Sequence, residues 1–321
     1  MPNFASILGC LALLGVCFSV VAHERTEFQW LQRIQQAALT QNYQGVFVYG
    51  QGRSMQSSRI VHLYENGQSR ERLEVLDGQP REMLRHNDEV HCLLPDVKTV
   101  LIERSSDRDA FPALFRGASQ DLFKYYSLKH QGIERVAGLD ADVLWLEPKD
   151  QWRYGYRIWA DRATGLLLKA QTLNEKAQVV EQMAFTEIRI GGAIDRNLLK
   201  QKYNTEGWKI ENTTASYEAL TQWSVKSVVP GFVKVREVRR TIGGHSVGQF
   251  VFSDGLAAVS VFIEQWRDGK AGSENVGNQG AINMLSRRQG EWSLTVLGEA
   301  PPAAIRQFAN AVEFKSVSLK K

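Results

Sequence analysis

Most of this 321-residue chain alternates apolar and polar residues in short runs that end at turn residues. One run, residues 70–76, places Leu73 and Val75 on one face and ends at Asp77-Gly78, a hairpin-turn dipeptide. Such runs recur about every ten residues, which is typical of strands with one buried face. Strands joined by short turns predict an antiparallel meander, because parallel strands need long crossover connections.

The first part of the chain is predicted to contain one helix followed by about ten strands. Residues 27–39 predict the helix, since Phe28, Leu31 and Ile34 recur at helical spacing. Residues 110–126 predict one or two short helices within the strand series. The predicted strands cover residues 46–49, 59–64, 70–76, 81–85, 89–94, 98–102, 132–136, 142–147, 154–160, 166–173 and 179–188. A sheet of this size curls to bury one face, around its own helices or around an apolar groove.

A smaller second domain is predicted after a polar linker. Its strands cover residues 223–226, 232–240, 248–252, 256–264, 282–287 and 292–297. Pro301-Pro302 begins a last helix. The apolar face of that helix carries Ala304, Ile305, Phe308, Ala309 and Val312. The predicted fold class is α+β, mainly antiparallel β. The predicted boundaries are a signal peptide at 1–22, a first domain at 23–192, a linker at 193–218 and a second domain at 219–321.

The amino terminus predicts export. Residues 1–22 contain no Asp, Glu, Lys or Arg, and residues 7–21 are almost purely apolar. This pattern indicates a secretory signal cleaved near Ala22. The apolar stretch lacks a preceding Lys or Arg, so an uncleaved anchor is the alternative. The mature chain would keep Cys92 alone, which excludes an intramolecular disulfide and predicts a small buried apolar side chain.

Catalytic and metal-binding motifs are weak. Gly244 to Gly248 matches G-x-S-x-G, whose serine belongs on a strand-to-helix turn. Here the residues after Ser246 predict a strand, and no histidine follows Ser246, which excludes the Ser, acid, His order of α/β-hydrolases. His86, His91 and Cys92 lie close in sequence, but His91 and Cys92 would point to opposite faces of a strand. We therefore predict a binding protein without enzymatic activity, cofactor or metal.

Large aromatic residues occupy both faces of one predicted strand. Tyr154 and Tyr156 alternate with Trp159, so one face can serve the core while the other needs a cover. That cover is a helix, the second domain or a ligand. Core packing and a ligand-lined concavity both fit this pattern.

Charges are unevenly distributed along the chain. From residue 219 onward there are 13 Lys or Arg against 8 Asp or Glu, which suits an acidic peptide or a phosphorylated lipid head group better than nucleic acid. Arg236, Arg239 and Arg240 form a basic cluster with Lys234. Between them, Val233, Val235 and Val238 are predicted to be buried. The basic cluster is either a solvated strand face or a surface for an acidic partner.

Carboxylates offer no informative motif. Glu71 and Glu74 lie on opposite faces of one predicted strand. Both are predicted to be solvated, because charged residues on a strand usually face water.

Five stretches in order resemble the RseB/MucB family. They are Leu76-Asp77-Gly78-Gln79-Pro80-Arg81-Glu82, Arg153-Tyr154-Gly155-Tyr156 continuing to Leu167-Leu168-Lys169, Val229-Pro230-Gly231-Phe232, Phe252-Ser253-Asp254-Gly255-Leu256 leading to Val259-Ser260-Val261, and Val296-Leu297-Gly298-Glu299-Ala300-Pro301-Pro302. Each stretch alone is weak, but their order and spacing match along nearly the whole mature chain.

The resemblance implies a fold, a compartment and a partner. It implies an N-terminal half-open β-barrel like that of the lipoprotein carrier LolA and a smaller C-terminal α+β domain. Family members are periplasmic and bind the periplasmic part of an RseA/MucA-type anti-sigma factor. This binding shields the anti-sigma factor from the site-one protease. The resemblance also implies that lipopolysaccharide or lipid fragments release the anti-sigma factor. The resemblance carries no short invariant site to individual residues.

Two sets of residues are predicted to contact these ligands. The predicted lipid contacts are Leu73, Val75, Tyr154, Tyr156 and Trp159. The predicted partner contacts are Arg236, Arg239 and Arg240. Two other functions compete with the regulator: a LolA-type lipoprotein or lipid carrier, and an envelope hydrolase using Ser246. Nucleic acid is not a predicted partner, and a homo-oligomer remains open.

Overall fold

The structure, a computed structural model, describes residues 25–104, 120–212, 220, 223–226, 229–242, 245–267 and 274–314. The predicted signal peptide, residues 1–22, lies outside the described residues. Neither α-helix in the described ranges is long and apolar enough to cross a membrane.

The first domain is one helix and a large open sheet. Helix α1 is Glu27–Thr40. The strands are β1 (Tyr43–Gln51), β2 (Ser54–Glu65), β3 (Gln68–Val75), β4 (Glu82–His86), β5 (Glu89–Leu94), β6 (Thr99–Arg104), β7 (Tyr126–Val136), β8 (Leu139–Pro148), β9 (Gly155–Asp161), β10 (Leu167–Leu173), β11 (Val179–Ile190) and β12 (Lys209–Asn212). Their order in the sheet is β12-β6-β5-β4-β3-β2-β1-β11-β10-β9-β8-β7. Every pair is antiparallel except β12 with β6, which is parallel.

Helix α1 supplies part of the core on one face of this sheet. Thr26 caps the helix reciprocally with Gln29, which satisfies two backbone N–H groups at its start. Leu31 and Ile34 are almost fully buried. They pack in one apolar cluster with Ile60 of β2 and with side chains of β1, β8, β9 and β10. The sheet therefore curls around its own helix.

The second domain is smaller and also α+β. It contains β13 (Trp223–Val225), β14 (Val233–Ile242), β15 (His245–Ser253), β16 (Ala258–Gln265), β17 (Asn275–Gln279), β18 (Ile282–Gln289), β19 (Trp292–Gly298), α2 (Pro302–Asn310) and β20 (Val312–Phe314). Six of these strands form an antiparallel sheet in the order β14-β15-β16-β19-β18-β17, and β13 pairs with β20. Phe308 of α2 packs against Phe232 and Phe252 and closes the core of this domain.

The predicted fold class is confirmed: the described residues are mainly antiparallel β, with an open first sheet and a smaller α+β domain. Of the helices predicted at 110–126, the structure describes one short 3-10 helix, Gln120–Lys124, and β7 already begins at Tyr126. Residues 105–119 lie outside the described residues. Strands β17 and β20 were not predicted. Val312 is buried as expected, but it belongs to β20 rather than to the last helix.

The segment predicted as a linker is partly ordered on the first domain. It contains a 3-10 helix, Arg196–Leu199, and the strand β12. Both carboxylate oxygens of Glu82, which is fully buried, accept the backbone N–H of Lys202 at 3.1 and 3.0 Å. The Lys202 Nζ donates to Glu74 at 2.7 Å. Polar contacts thus attach this segment, which its polar sequence did not indicate. The boundaries at 192/193 and 218/219 remain predictions.

The burial predicted for β14 is wrong at two positions. Val238 is fully buried, but Val233 and Val235 are 60% and 57% exposed. Strand β14 is an edge strand of its sheet, and its pairing with β15 shifts register between Lys234 and Arg236. The extra residue at this bulge interrupts the alternation on which the prediction rested.

Candidate functional site

An apolar row crosses one face of β2 to β6. Direct cross-strand pairing joins Ile60, Leu73, Met83, Cys92 and Leu101 in that order. Ile60 belongs to the core around α1 and Leu73 packs against it, so the row continues that core along the sheet. The four residues after Ile60 are half-buried. This row is the candidate apolar groove of the first domain.

A polar row runs beside the apolar row on the same face. Tyr43, His62, Glu71 and Arg85 are direct cross-strand neighbours on β1, β2, β3 and β4. Glu71 and Leu73 are two residues apart on β3, so their side chains point to the same side. The rings of Tyr43 and His62 stack at 4.9 Å, and the His62 Nδ1 lies 2.7 Å from the backbone oxygen of Gln41. All four residues are buried.

Burial controls the protonation of this polar row. It raises the pKa of Glu71 from 4.5 to about 7, although the nearby Arg85 acts in the opposite direction. Burial also lowers the pKa of His62 and raises that of Tyr43. The Oε2 atom of Glu71 has no hydrogen-bond partner among the described residues. A buried carboxyl oxygen without a partner is costly, because it has lost its water.

The prediction of solvated carboxylates on β3 is wrong. Glu71 is 3% exposed and Glu74 is 7% exposed. Glu71 and Glu74 lie on opposite faces of β3, as predicted, but other parts of the protein shield both side chains from water. Arg72 and Lys202 contact Glu74, whereas Glu71 faces the concave side. The charge pattern could not reveal this, because Lys202, which contacts Glu74, lies 128 residues further along the chain, and the residues beside Glu71 come from neighbouring strands.

The five residues predicted to contact lipid do not form one cluster. Leu73 and Val75 are half-buried on the concave face of β3, and Tyr156 is buried in the same core as Leu73. Trp159 belongs to a separate apolar cluster, and its Nε1 donates to Glu134 at 2.7 Å. The hydroxyl oxygen of Tyr154 accepts a hydrogen bond of 2.7 Å from Asn283 in the second domain. Their contact with lipid stays a prediction.

The three arginines predicted to contact the partner have different surroundings. Arg240 pairs with Glu103 of β6 at 3.4 Å, so it joins β14 to the first domain. The Nη1 of Arg239 donates to the Ser246 Oγ at 3.2 Å. Arg236 is half-buried on the same strand. Ser246 itself lies on β15, a strand, and not on the strand-to-helix turn that a serine hydrolase needs.

Arg153 is the centre of the domain interface, and sequence reasoning missed this role. Its Nη1 donates to Asp254 and its Nε to Asp150, both at 2.9 Å. The side chains of Arg153 and Asp254 are fully buried. The guanidinium also lies 4.6 Å from the ring centre of Tyr125. The hydroxyl of Tyr126 donates to Asp254 at 3.2 Å. The buried pair thus connects the first domain with the β15–β16 turn of the second.

Burial raises the pKa of Asp254, while the backbone N–H groups of Leu256 and Ala257 and the charge of Arg153 oppose that increase. Both N–H groups donate to the Asp254 Oδ1, at 3.0 and 2.9 Å. Arg153 and Asp254 each occur in one of the stretches that carried the family resemblance. The sequence showed a turn at Ser253-Asp254-Gly255 but gave no sign of its distant partner.

The hydrogen bond between Tyr154 and Asn283 allows a test of the domain interface in which the expected loss of stability is small. We expect Tyr154→Phe to lower the free energy of unfolding by about 1 kcal/mol, because it removes one buried hydrogen bond. Asn283 keeps a bond of 2.9 Å to the backbone oxygen of Ala300, which limits the loss. Urea unfolding measures the change, with the exposed Tyr64→Phe as the control. A loss above about 3 kcal/mol would contradict this account.

In the parts of the chain that the structure describes, no three His, Cys, Asp or Glu side chains converge to hold a metal ion. His91 instead contacts Glu89 at 2.7 Å. Cys92 is half-buried in the apolar row, and burial raises the pKa of its thiol. The described side chains thus provide apolar surface, one buried polar row and a domain interface.

Comparison with known proteins matches both domains. The family model described as the MucB/RseB N-terminal domain matches residues 26–203, and that of the MucB/RseB C-terminal domain matches residues 217–313. The sigma factor AlgU regulatory protein MucB of Pseudomonas aeruginosa is 32% identical over 97% of this chain and 98% of that protein. The sigma-E factor regulatory protein RseB of Haemophilus influenzae is 26% identical over 92% of this chain and 93% of that protein.

Solved structures agree with these matches. The complex of Pseudomonas aeruginosa MucA and MucB contains a chain that is 29% identical, with a TM-score of 0.74, over 90% of this chain and 99% of that one. A crystal structure of MucB has a TM-score of 0.66 and 30% identity over 89% of this chain and 97% of that one. The chain belongs to the MucB/RseB family.

Proposed function

We propose that this chain is a periplasmic regulator that binds the periplasmic region of a MucA/RseA-type anti-sigma factor. The observation that carries the proposal is the similarity over both domains to a MucB chain solved in complex with MucA. The relatives are named as regulators of sigma factors, which supports a role without enzymatic activity. The predicted signal at residues 1–22 supports secretion into the periplasm.

Binding would shield the anti-sigma factor from site-one proteolysis and so restrain the stress sigma factor. Lipopolysaccharide or a lipid fragment would release it by favouring the partner-free form, since a ligand can shift an equilibrium only by its differential affinity for the two states. Each buried methylene contributes about 0.8 kcal/mol, so a few methylenes can offset a coupling of about 1–3 kcal/mol.

The proposed contact residues differ in their exposure. Leu73 and Val75 on the concave face are the proposed lipid contacts with the best exposure, because Tyr154, Tyr156 and Trp159 are already buried. Arg236, Arg239 and Arg240 remain the proposed partner contacts. Arg240 also contacts Glu103 at the edge of the concave side, which gives a physical connection between the two proposed sites.

A lipid or lipoprotein carrier is the second candidate function. The half-buried row from Leu73 to Leu101 favours it, because a carrier needs an apolar surface that can open to an acyl chain. The two candidates differ in one respect: a carrier binds lipid but gives an anti-sigma factor no protection from protease.

A pull-down tests the regulator directly. Residues 23–321 are mixed with the periplasmic segment of the host's anti-sigma factor, with and without lipopolysaccharide. We expect binding that lipopolysaccharide weakens. We also expect binding to weaken at least about fivefold in Arg236→Glu/Arg239→Glu, because like charges would then face an acidic partner. Arg196→Glu, which replaces an exposed arginine in the segment that follows the first domain, is the control.

Absence of binding at micromolar concentrations, with lipid still bound, would exclude the regulator and leave the carrier. Binding that is insensitive to lipopolysaccharide would keep the partner but remove the proposed release. Equal binding by the double variant and the wild type would show that the partner does not bind at Arg236 and Arg239 of β14.

A further inference from the structure

Within the polar row of the concave face, Glu71 has a buried acceptor oxygen that its own neighbours leave unused. Glu71 is 3% exposed, and its Oε2 atom has no hydrogen-bond partner among the described residues. Native proteins satisfy most buried polar atoms, so such an atom calls for a donor from a ligand or a bound water. Glu71 lies two residues from Leu73, beside the half-buried apolar row.

The row has the dimensions of an acyl chain. Strands in a sheet lie about 4.8 Å apart, so the five residues from Ile60 to Leu101 span about 19 Å. Along β3, Glu71 lies about 7 Å from Leu73. A chain along the apolar row can therefore place a polar group near its end at the Glu71 carboxylate.

The residues around Glu71 indicate whether the polar group of the ligand is neutral or charged. Arg85 faces Glu71 from β4, His62 faces it from β2, and Tyr43 follows on β1. The guanidinium of Arg85 already supplies a positive charge to the carboxylate. A second cation would be repelled by it, whereas a neutral N–H or O–H donor would complete the hydrogen bonding of the carboxylate without that cost.

We propose that Glu71 accepts a hydrogen bond from a neutral N–H or O–H group of an acyl ligand whose chain lies along Leu73, Met83 and Cys92. Acyl amides and acyl chains with a hydroxyl group carry such donors. The proposal rests on the lipid-binding part of the proposed function and adds to it the polar group that the face selects.

Four probes with the same twelve-carbon chain test the selection. Dodecanamide offers an N–H donor, 1-dodecanol an O–H donor, methyl dodecanoate no donor, and dodecylammonium a charged donor. Binding to residues 23–321 is measured by calorimetry at pH 8. We expect the two neutral donors to bind about tenfold more tightly than methyl dodecanoate, the fold-change of one charge-assisted hydrogen bond. Dodecylammonium is expected to bind more weakly than dodecanamide.

Variants at Glu71 separate this contact from general apolar binding. Glu71→Leu should bind all three uncharged probes equally. Glu187→Leu, which replaces an exposed glutamate on β11 of the same sheet, should keep the wild-type preference. Glu71→Gln retains an acceptor oxygen without the charge and serves if the leucine variant does not fold. It should keep a preference of about twofold to threefold, because hydrogen bonds to neutral acceptors are weaker.

Equal affinity of wild type for the uncharged probes would overturn the proposal while leaving lipid binding in place. A preference that survives in Glu71→Leu would also overturn it. Failure of every probe to bind would overturn both this proposal and the lipid-dependent part of the proposed function. The pull-down with the anti-sigma factor would still decide the partner separately.

Discussion

Replacing Arg153 by Met will lower the free energy of unfolding by about 3–5 kcal/mol, because the substitution leaves a buried carboxylate without its cation. The side chain of Asp254 is fully buried and accepts hydrogen bonds from an arginine N–H and a tyrosine O–H. Methionine fills a similar volume but donates no hydrogen bond. Urea unfolding followed by tryptophan fluorescence measures the loss.

An exposed pair provides the control for this substitution. Arg196 contacts Glu65 at 2.8 Å, but 68% of the arginine side chain is exposed. Arg196→Met should therefore cost no more than about 1 kcal/mol. If Arg153→Met lies within that range as well, the buried pair does not hold the domains together. Adding Asp254→Asn to Arg153→Met should recover part of the loss, because neighbouring substitutions in one network are not additive.

The domain interface bears on the proposed release of the partner by lipopolysaccharide. Arg153 connects strands next to the core of the first domain with the β15–β16 turn. Among the described residues, this contact and the pair between Arg240 and Glu103 are two of the links through which a ligand on the first domain can affect the second. Arg153→Met should therefore also weaken the effect of lipopolysaccharide on partner binding, since coupling requires an element that both sites influence.

The strands could be predicted because alternation is a local property of the sequence. Helix α1 and the series β1 to β6 appear where the periodicity placed them, with boundary differences of a few residues. The bulge in β14 could not be predicted, because it depends on pairing with β15. Val233 and Val235 therefore seemed to belong to the core. The segment predicted as a linker was misjudged because one of its attachments, from the Lys202 backbone N–H to Glu82, joins residues 120 positions apart.

The candidate site was less predictable than the fold. The alternation within one strand was enough to predict Leu73 and Val75 as candidate contacts. The role of Glu71 depends on its cross-strand neighbours on β2 and β4, which that alternation does not show. Asp254 resembled a turn residue, and its partner Arg153 is 101 residues away in sequence. Residue types and local spacing identify a strand and a turn. They do not identify which charges meet when the sheet curls, because that depends on pairings between distant segments.

Glu71→Gln should make stability less dependent on pH between pH 5 and 8. The folded-state pKa of Glu71 is about 7, above its ordinary value of 4.5, because burial disfavours the carboxylate. A raised pKa means that the folded state binds the proton more tightly than the unfolded state. The stabilising contribution of this proton is therefore complete below about pH 4.5 and is lost as the pH rises through about 7.

The expected change in the free energy of unfolding follows from the same pKa values. A difference of one in pKa corresponds to about 1.4 kcal/mol, so wild type should lose about 2.5 kcal/mol relative to Glu71→Gln between pH 5 and pH 8. Urea unfolding at several pH values measures this difference, and Glu187→Gln should follow wild type throughout. Parallel curves for wild type and Glu71→Gln would show that the carboxyl does not titrate in this range. A neutral donor bound to Glu71 stabilises the carboxylate, so dodecanamide should reduce the loss of the wild type, whereas it should stabilise Glu71→Gln equally at every pH.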